Sequence, residues 1–160
     1  DLYNGETYSW FNEAFHLVKQ FSTEGSYRLF PDRISLPTTI SNGKQIEIAH
    51  RWNNSGWGYC PTNIPQWKNK YKVAFALLDV KDDKPEYVFV DGEPEACDWV
   101  KGTAKSYMFT TQIKGVRAGK YMWAVGIVDT TKQNEIGIRL AVKNNVTSAG
   151  WLKLFEVSVR

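Results

Sequence analysis

The chain has 160 residues, 42% of them hydrophobic, and a formal net charge of +3 at pH 7. This length is typical of one domain with a single core. From the small charge excess, without long runs of like charge, we expect no nucleic-acid partner and a neutral or anionic partner over a cationic one. No apolar run is long enough to cross a bilayer, so we expect no membrane partner.

The first residues lack the basic and apolar order of a signal peptide, and we expect the chain to be a mature or excised segment of a longer polypeptide. A helix is predicted over Ser9–Phe21, where apolar residues recur at helical spacing after a serine cap. The chain is therefore divided into an N-terminal helical segment, residues 1–25, and a β-rich module, residues 26–160.

After Gly25 the sequence consists of short β-rich runs separated by Gly, Pro, Asn and Asp, as in an all-β sandwich. The predicted strands are Tyr27–Phe30, Arg33–Leu36, Gln45–Trp52, Tyr71–Asp79, Tyr87–Val90, Ser106–Ile113, Gly119–Asp129, Ile136–Val142 and Trp151–Val159. Apolar and polar residues alternate in several of them, whereas the run from Tyr121 to Val128 is apolar on both faces, as in a central strand. These patterns predict an antiparallel Ig-like or jelly-roll-type β-sandwich with one short N-terminal helix.

Side chains suited to catalysis are sparse. The chain has only two histidines, His16 and His50, and none of the common hydrolase, metalloprotease, P-loop or dinucleotide motifs. Its carboxylates lie mostly in predicted turns, where Asp caps its own backbone. Asp79, Asp82 and Asp83 offer oxygen ligands for calcium, but without the spacing of a known calcium loop. We expect no catalytic residue and no metal or other cofactor, with calcium the one cofactor left open.

Two cysteines, Cys60 and Cys97, are too far apart in sequence for a metal finger or a CxxC motif. In an exported protein they would form a disulfide, which stabilises by about 3 to 4 kcal/mol through loop closure. The alternative is a pair of free thiols in adjacent loops. The sequence leaves both interpretations open.

Aromatic residues are abundant, with seven Trp and eight Tyr. Those in polar, Gly- and Pro-rich loop sequence are Trp57, Tyr59, Trp67 and Trp99. An exposed ring beside polar side chains suits a sugar, because the C–H faces of a pyranose stack on the ring while its hydroxyls bond to Asn, Asp and Arg. Residues 50–61 combine aromatic rings with Asn and Arg, and an arginine there can bind a carboxylate or sulfate in bidentate fashion.

Aromatic residues also have a structural interpretation. By alternation, Trp52 and Trp123 share faces with aliphatic residues, so both are predicted to lie in the core. The loop aromatics are open between a ligand platform and packing against the end of the sandwich. If the ligand binds on a sheet face instead, Trp123 and Tyr107 replace the loop residues.

Short motifs follow one another in the order Ser26–Leu29, Arg51–Trp57, Pro61, Leu77–Asp79, Asp98–Trp99, Gly119–Tyr121, Asp129, Ile138–Ala141 and Gly150–Trp151. Over residues 26–159 this order resembles the β-sandwich domain of the DUF4832 type, which follows catalytic barrels in bacterial glycoside hydrolases. The resemblance implies an exported polysaccharide-degrading enzyme. In that enzyme this chain is the non-catalytic C-terminal module, and residues 9–21 join it to the preceding domain.

We therefore expect a monomeric carbohydrate-binding module, secreted or at the cell surface or periplasm of a bacterium. Its partners are a neutral or anionic polysaccharide, algal polysaccharides included, and the upstream catalytic domain of the same polypeptide. The candidate ligand-binding residues are Arg51, Asn53, Asn54, Trp57, Tyr59, Asp98 and Trp99. Two other functions stay open: a structural Ig-like domain that braces a catalytic barrel, and a small enzyme that uses carboxylates or Tyr with Arg.

Overall fold

In the computed structural model, which describes the backbone of residues 7–11 and all of residues 27–160, the chain forms two facing β-sheets. The strands are β1 (Thr7–Phe11), β2 (Leu29–Pro37), β3 (Thr39–Ile40), β4 (Gln45–Asn54), β5 (Tyr71–Asp79), β6 (Pro85–Asp91), β7 (Lys105–Gln112), β8 (Gly119–Asp129), β9 (Glu135–Ile138) and β10 (Leu152–Val159). One sheet has the order β1-β2-β4-β7. The other has the order β3-β10-β8-β5-β6, with β9 paired to β8. The β-sandwich predicted from the sequence is confirmed.

The predicted N-terminal helix is wrong at its start. Residues Ser9 to Phe11 belong to β1, which pairs antiparallel with β2 so that Ser9 lies opposite Ser35. Because this backbone is part of a strand ladder, Ser9 does not cap a helix. The rest of the predicted helix, residues 12–21, lies outside the described residues.

The central strands follow the predicted pattern most closely. β5 and β8 have the predicted bounds, and the whole of β5 pairs with residues 121–129 of β8. Both are buried on both faces through most of their length, as the apolar run in β8 predicted. Pairing between the named strands is antiparallel except for β3, which runs parallel to β10.

Two other strands differ from the prediction. The runs at 27–30 and 33–36 form the single strand β2, in which Asp32 is the extra residue of a bulge against β4. The strand predicted to continue to residue 142 stops at Ile138. It stops because the chain crosses to the other sheet, where the N–H of Ala141 donates to a carbonyl of β2.

The space between the sheets is filled by one large apolar cluster. Trp52 of β4, Phe75 of β5 and Trp123 of β8 are fully buried in it, so the predicted core positions of both tryptophans are confirmed. A smaller cluster around Trp151 lies on the opposite face of the β5–β8 pair.

A buried chain of polar contacts links the two sheets. The indole Nε1–H of Trp52 donates to Nδ1 of His50 at 2.8 Å, and His50 Nε2 lies 3.0 Å from Oδ2 of Asp91 on β6. Because Nδ1 accepts the hydrogen bond from the indole N–H, the imidazole N–H is at Nε2 and donates to Asp91. The His50 ring also contacts Phe75 edge-on and stacks on Tyr107. One cluster therefore ties β4, β5, β6 and β7 together.

Replacing Trp52 with Phe removes the indole donor and leaves Nδ1 of His50 unpaired in the core. We expect Trp52→Phe to lower the free energy of unfolding by about 1–3 kcal/mol more than Trp151→Phe does. The control removes the same ring volume at a similarly buried site in the smaller cluster, away from His50. Urea unfolding of both variants at neutral pH measures the difference. Equal losses would contradict a stabilising hydrogen bond.

Candidate functional site

Two loops cross between the sheets at the same end of the sandwich. The first, residues 55–70, connects β4 to β5, and the second, residues 92–104, connects β6 to β7. The antiparallel pairs β4–β7 and β5–β6 bring the ends of these loops together. The predicted ligand residues all lie in these crossing loops or in the last residues of β4, so the fold gathers them at one end.

Asn54 anchors the first crossing loop to the second. Its Oδ1 accepts hydrogen bonds from the N–H groups of Arg28 and Gly56, at 3.0 and 2.8 Å. Its Nδ2 donates to the carbonyls of Gly58 and Trp99, at 2.8 and 3.0 Å. Because the side chain is buried and both of its polar atoms are already bonded, Asn54 holds the loops in place and is not exposed to a ligand.

Trp99 is buried as well, with an exposed fraction of 1%. Its ring stacks on Trp52 with centroids 4.8 Å apart, and its indole N–H donates to the hydroxyl of Tyr107 at 2.8 Å. A sugar cannot stack on Trp99 in this arrangement, so the structure corrects the predicted role of Trp99. The two residues of the sheet-face alternative do not present a ring for stacking either, because Trp123 is fully buried and Tyr107 packs against the core.

Arg51 is engaged in a bidentate ion pair with Asp32. Its Nε and Nη2 donate to Oδ1 and Oδ2 of Asp32, at 2.7 and 3.0 Å, and this hydrogen bonding raises the pKa of the guanidinium. The geometry that the sequence analysis assigned to a ligand anion is therefore occupied by a carboxylate of the chain itself. Asn53 is half-buried, and its enclosed Nδ2 has no hydrogen-bond partner among the residues that the structure describes.

The predicted ligand residues that lie at the surface are Trp57, Tyr59 and Asp98. Trp57 is 84% exposed and Tyr59 is 52% exposed, while Asp98 is exposed on the second crossing loop. Lys101 was not predicted from the sequence, and its Nζ lies 3.9 Å from the centroid of the Trp57 ring. Nothing in the sequence pairs these two residues, because they meet only through the anchoring of one loop on the other. We call Trp57, Tyr59, Asp98 and Lys101 the crossing-loop surface.

Both cysteines lie in the crossing loops, and both are free thiols. The loops touch here, since the N–H of Cys97 donates to Oγ1 of Thr62 at 3.0 Å. Cys60 is fully buried, and burial raises the pKa of its thiol to about 12. Burial also raises the pKa of the neighbouring Tyr27 hydroxyl to about 12. The pair therefore matches the second interpretation of the cysteines, free thiols in adjacent loops.

The aspartates considered for calcium already have partners: two accept backbone hydrogen bonds in their own turn, and the third forms an ion pair with a lysine. Asp79 and Asp82 each accept a hydrogen bond from a backbone N–H two residues further on, and Asp83 lies 3.3 Å from Nζ of Lys153. In the part of the chain that the structure describes, no group of three or more His, Cys, Asp or Glu side chains is placed to hold a metal ion. The same residues form no helix that is long and apolar enough to cross a membrane.

No protein-family model and no curated protein sequence matches the chain, so the resemblance to the DUF4832-type domain stays a prediction. The division into residues 1–25 and 26–160 also stays a prediction.

Solved structures give distant similarities only. The CARDB domain of the PF1109 protein from Pyrococcus furiosus is 15% identical, with 86% of this chain and 97% of that chain covered and a TM-score of 0.44. The C-terminal domain of wzt is 13% identical, with 99% and 80% covered and a TM-score of 0.44. A β-glucosidase from Listeria innocua is 16% identical, with 84% of this chain but only 16% of that chain covered and a TM-score of 0.41. All three TM-scores lie below 0.5, so these similarities carry no argument about function.

The buried Cys60 thiol makes stability depend on pH in the alkaline range. The folded state holds the thiol proton up to about pH 12, whereas an unfolded thiol releases it near its ordinary pKa of 9.0. The stabilisation from Cys60 is therefore complete below the unfolded pKa and is lost as the pH rises towards the folded one. We expect urea midpoints, measured in a reducing buffer, to fall more steeply with alkaline pH in the wild type than in Cys60→Ala. Parallel profiles would contradict the raised pKa.

Proposed function

We propose that this protein is a non-catalytic carbohydrate-binding module, and that a polysaccharide binds at its crossing-loop surface. The observation that carries the proposal is Trp57, a large ring that is almost fully exposed on a loop anchored by the buried side chain of Asn54. Tryptophan and tyrosine are enriched at interaction surfaces relative to the rest of a protein surface, so an exposed tryptophan ring on an anchored loop indicates a contact site.

A sugar suits this surface because its apolar C–H faces match the exposed rings and its hydroxyls match the exposed polar groups. The C–H face of a pyranose stacks on the indole of Trp57, and Tyr59, two residues further along the same loop, offers a second ring with a polar hydroxyl. The exposed carboxylate of Asp98 accepts hydrogen bonds from sugar hydroxyls. Because the crossing loops are hydrogen-bonded to each other before a ligand arrives, little ordering is needed on binding.

The buried candidates have a supporting role in this proposal. Asn54 and Trp99 hold the crossing loops, and Arg51 holds the bulge of β2 through Asp32. Substituting them is expected to alter stability first and binding only as a consequence.

The absence of catalysis, the secreted location in a bacterium and the upstream catalytic domain are parts of the same proposal. His50 supports the first of them, because both of its ring nitrogens are already bonded in the core. A binding module of this kind keeps a tethered catalytic domain close to its polymeric substrate, which raises the local concentration without new chemistry.

Trp57→Ala is expected to weaken polysaccharide binding by about tenfold or more, because it removes the stacking surface. The free energy of unfolding should change by no more than about 0.5 kcal/mol, since the ring is exposed. Affinity electrophoresis through gels that contain neutral, sulfated or uronic polysaccharides identifies the ligand, and isothermal titration with its fragments measures the affinity.

Met108→Ala is the matched control, because Met108 is an exposed apolar residue on β7 and lies outside the crossing-loop surface. It should bind like the wild type. If no gel retards the wild type, or if Trp57→Ala binds as the wild type does, the proposal is wrong. Self-association that depends on Trp57, without retardation in any gel, would favour an Ig-like domain that braces a catalytic barrel.

A further inference from the structure

A positively charged ammonium group lies beside the exposed ring of Trp57. Lys101, on the second crossing loop, places its Nζ 3.9 Å from the centroid of the ring. This distance is within the range in which an ammonium is attracted to the negative face of an aromatic ring. The contact keeps the charge at the surface where, on the proposed function, the sugar stacks.

Lys101 differs from three other lysines of the chain because its ammonium is not in an ion pair among the described residues. Lys70, Lys72 and Lys153 each form an ion pair with a carboxylate. No carboxylate among the described residues forms an ion pair with Lys101, which is exposed. Its ammonium has three N–H donors, and a ring face does not saturate them. The charge of Lys101 is therefore available to a ligand.

The guanidinium that the sequence offered for an anion is not available in the same way. Arg51 donates from Nε and Nη2 to both oxygens of Asp32. A ligand carboxylate would have to displace Asp32 to gain the same two bonds. Lys101 is therefore the cation beside the aromatic ring whose ammonium is not held by a carboxylate among the described residues.

A neutral and an anionic sugar differ in what they do to this contact. A neutral sugar that stacks on the face covered by Lys101 displaces the ammonium and gains no ion pair in return. A uronate or a sulfated sugar, on either face, gives the displaced or neighbouring ammonium a charged acceptor at the edge of the ring. We infer that the crossing-loop surface selects anionic polysaccharides at the ring of Trp57, with Lys101 as the specificity-determining residue that pairs with the carboxylate or sulfate, while Asp98 contacts only the uncharged hydroxyls of the sugar. The inference rests on the proposed function.

The test compares polysaccharides that differ mainly in charge. Polygalacturonate is paired with its methyl ester, and carrageenan is paired with agarose, so that the carboxylate and sulfate arms are separate. Gel retardation and titration are measured for the wild type, Lys101→Gln, and Lys68→Gln. The last variant is the control, because Lys68 is exposed in the first crossing loop and its loss changes the net charge equally.

We expect the wild type to prefer the charged member of at least one pair, and this preference to weaken as salt is added. Lys101→Gln should reduce affinity for that anionic polymer about three- to fivefold, as expected for one exposed ion pair, and leave or improve the affinity for the neutral partner. Lys68→Gln should leave both affinities unchanged.

The failure of the inference is distinguishable from the failure of the proposed function. If Trp57→Ala abolishes binding but Lys101→Gln acts no differently from Lys68→Gln, the domain binds sugar without selecting charge through Lys101. If no gel retards the wild type, both are wrong. Binding to phosphatidylglycerol vesicles without retardation in any gel would also overturn both, since it would assign the exposed ring and its cation to a lipid surface.

Discussion

The contact on which the rest of the structure depends is the buried chain from Trp52 through His50 to Asp91. It joins a strand of the four-stranded sheet to the last residue of β6 in the other sheet. Polar groups in a core are costly unless they are paired, and here the indole donor, both imidazole nitrogens and one carboxylate oxygen satisfy one another. Because hydrogen bonds have defined directions, the chain fixes how the two sheets face each other, which apolar packing alone would leave less specific.

The same tryptophan sets the position of the exposed end. Trp52 stacks on Trp99 of the second crossing loop, and the carbonyl of Trp99 accepts a hydrogen bond from Asn54, which also holds the first crossing loop. The stacking of Trp99 on Trp52 and the hydrogen bonds of Asn54 therefore hold both crossing loops against the core, and Trp57 stays exposed to solvent. A rigid scaffold that presents a few residues on loops is the usual arrangement for a binding site.

The sequence predicted the sandwich because β5 and β8 are long, β-rich and apolar on both faces, a pattern that depends only on neighbouring residues. It placed Trp52 in the core for the same reason. It could not decide the position of Trp99, because the burial of a loop aromatic depends on a distant strand, and it could not pair Lys101 with Trp57, which meet across two loops. The prediction of an N-terminal helix failed at Ser9 because residues 7–11 pair with the edge of β2. The spacing of apolar residues along the chain does not show that this edge is open to pairing.

If a ligand binds to an exposed ring held by a core that does not move, the indole N–H resonances show it most directly. The chain has seven tryptophans, and Trp57→Phe assigns the resonance of Trp57. On titration with fragments of a polysaccharide that retards the protein, we expect a progressive shift of the Trp57 indole resonance while the resonances of Trp52 and Trp99 stay in place. Shifts of the buried indoles with Trp57 unchanged would contradict it.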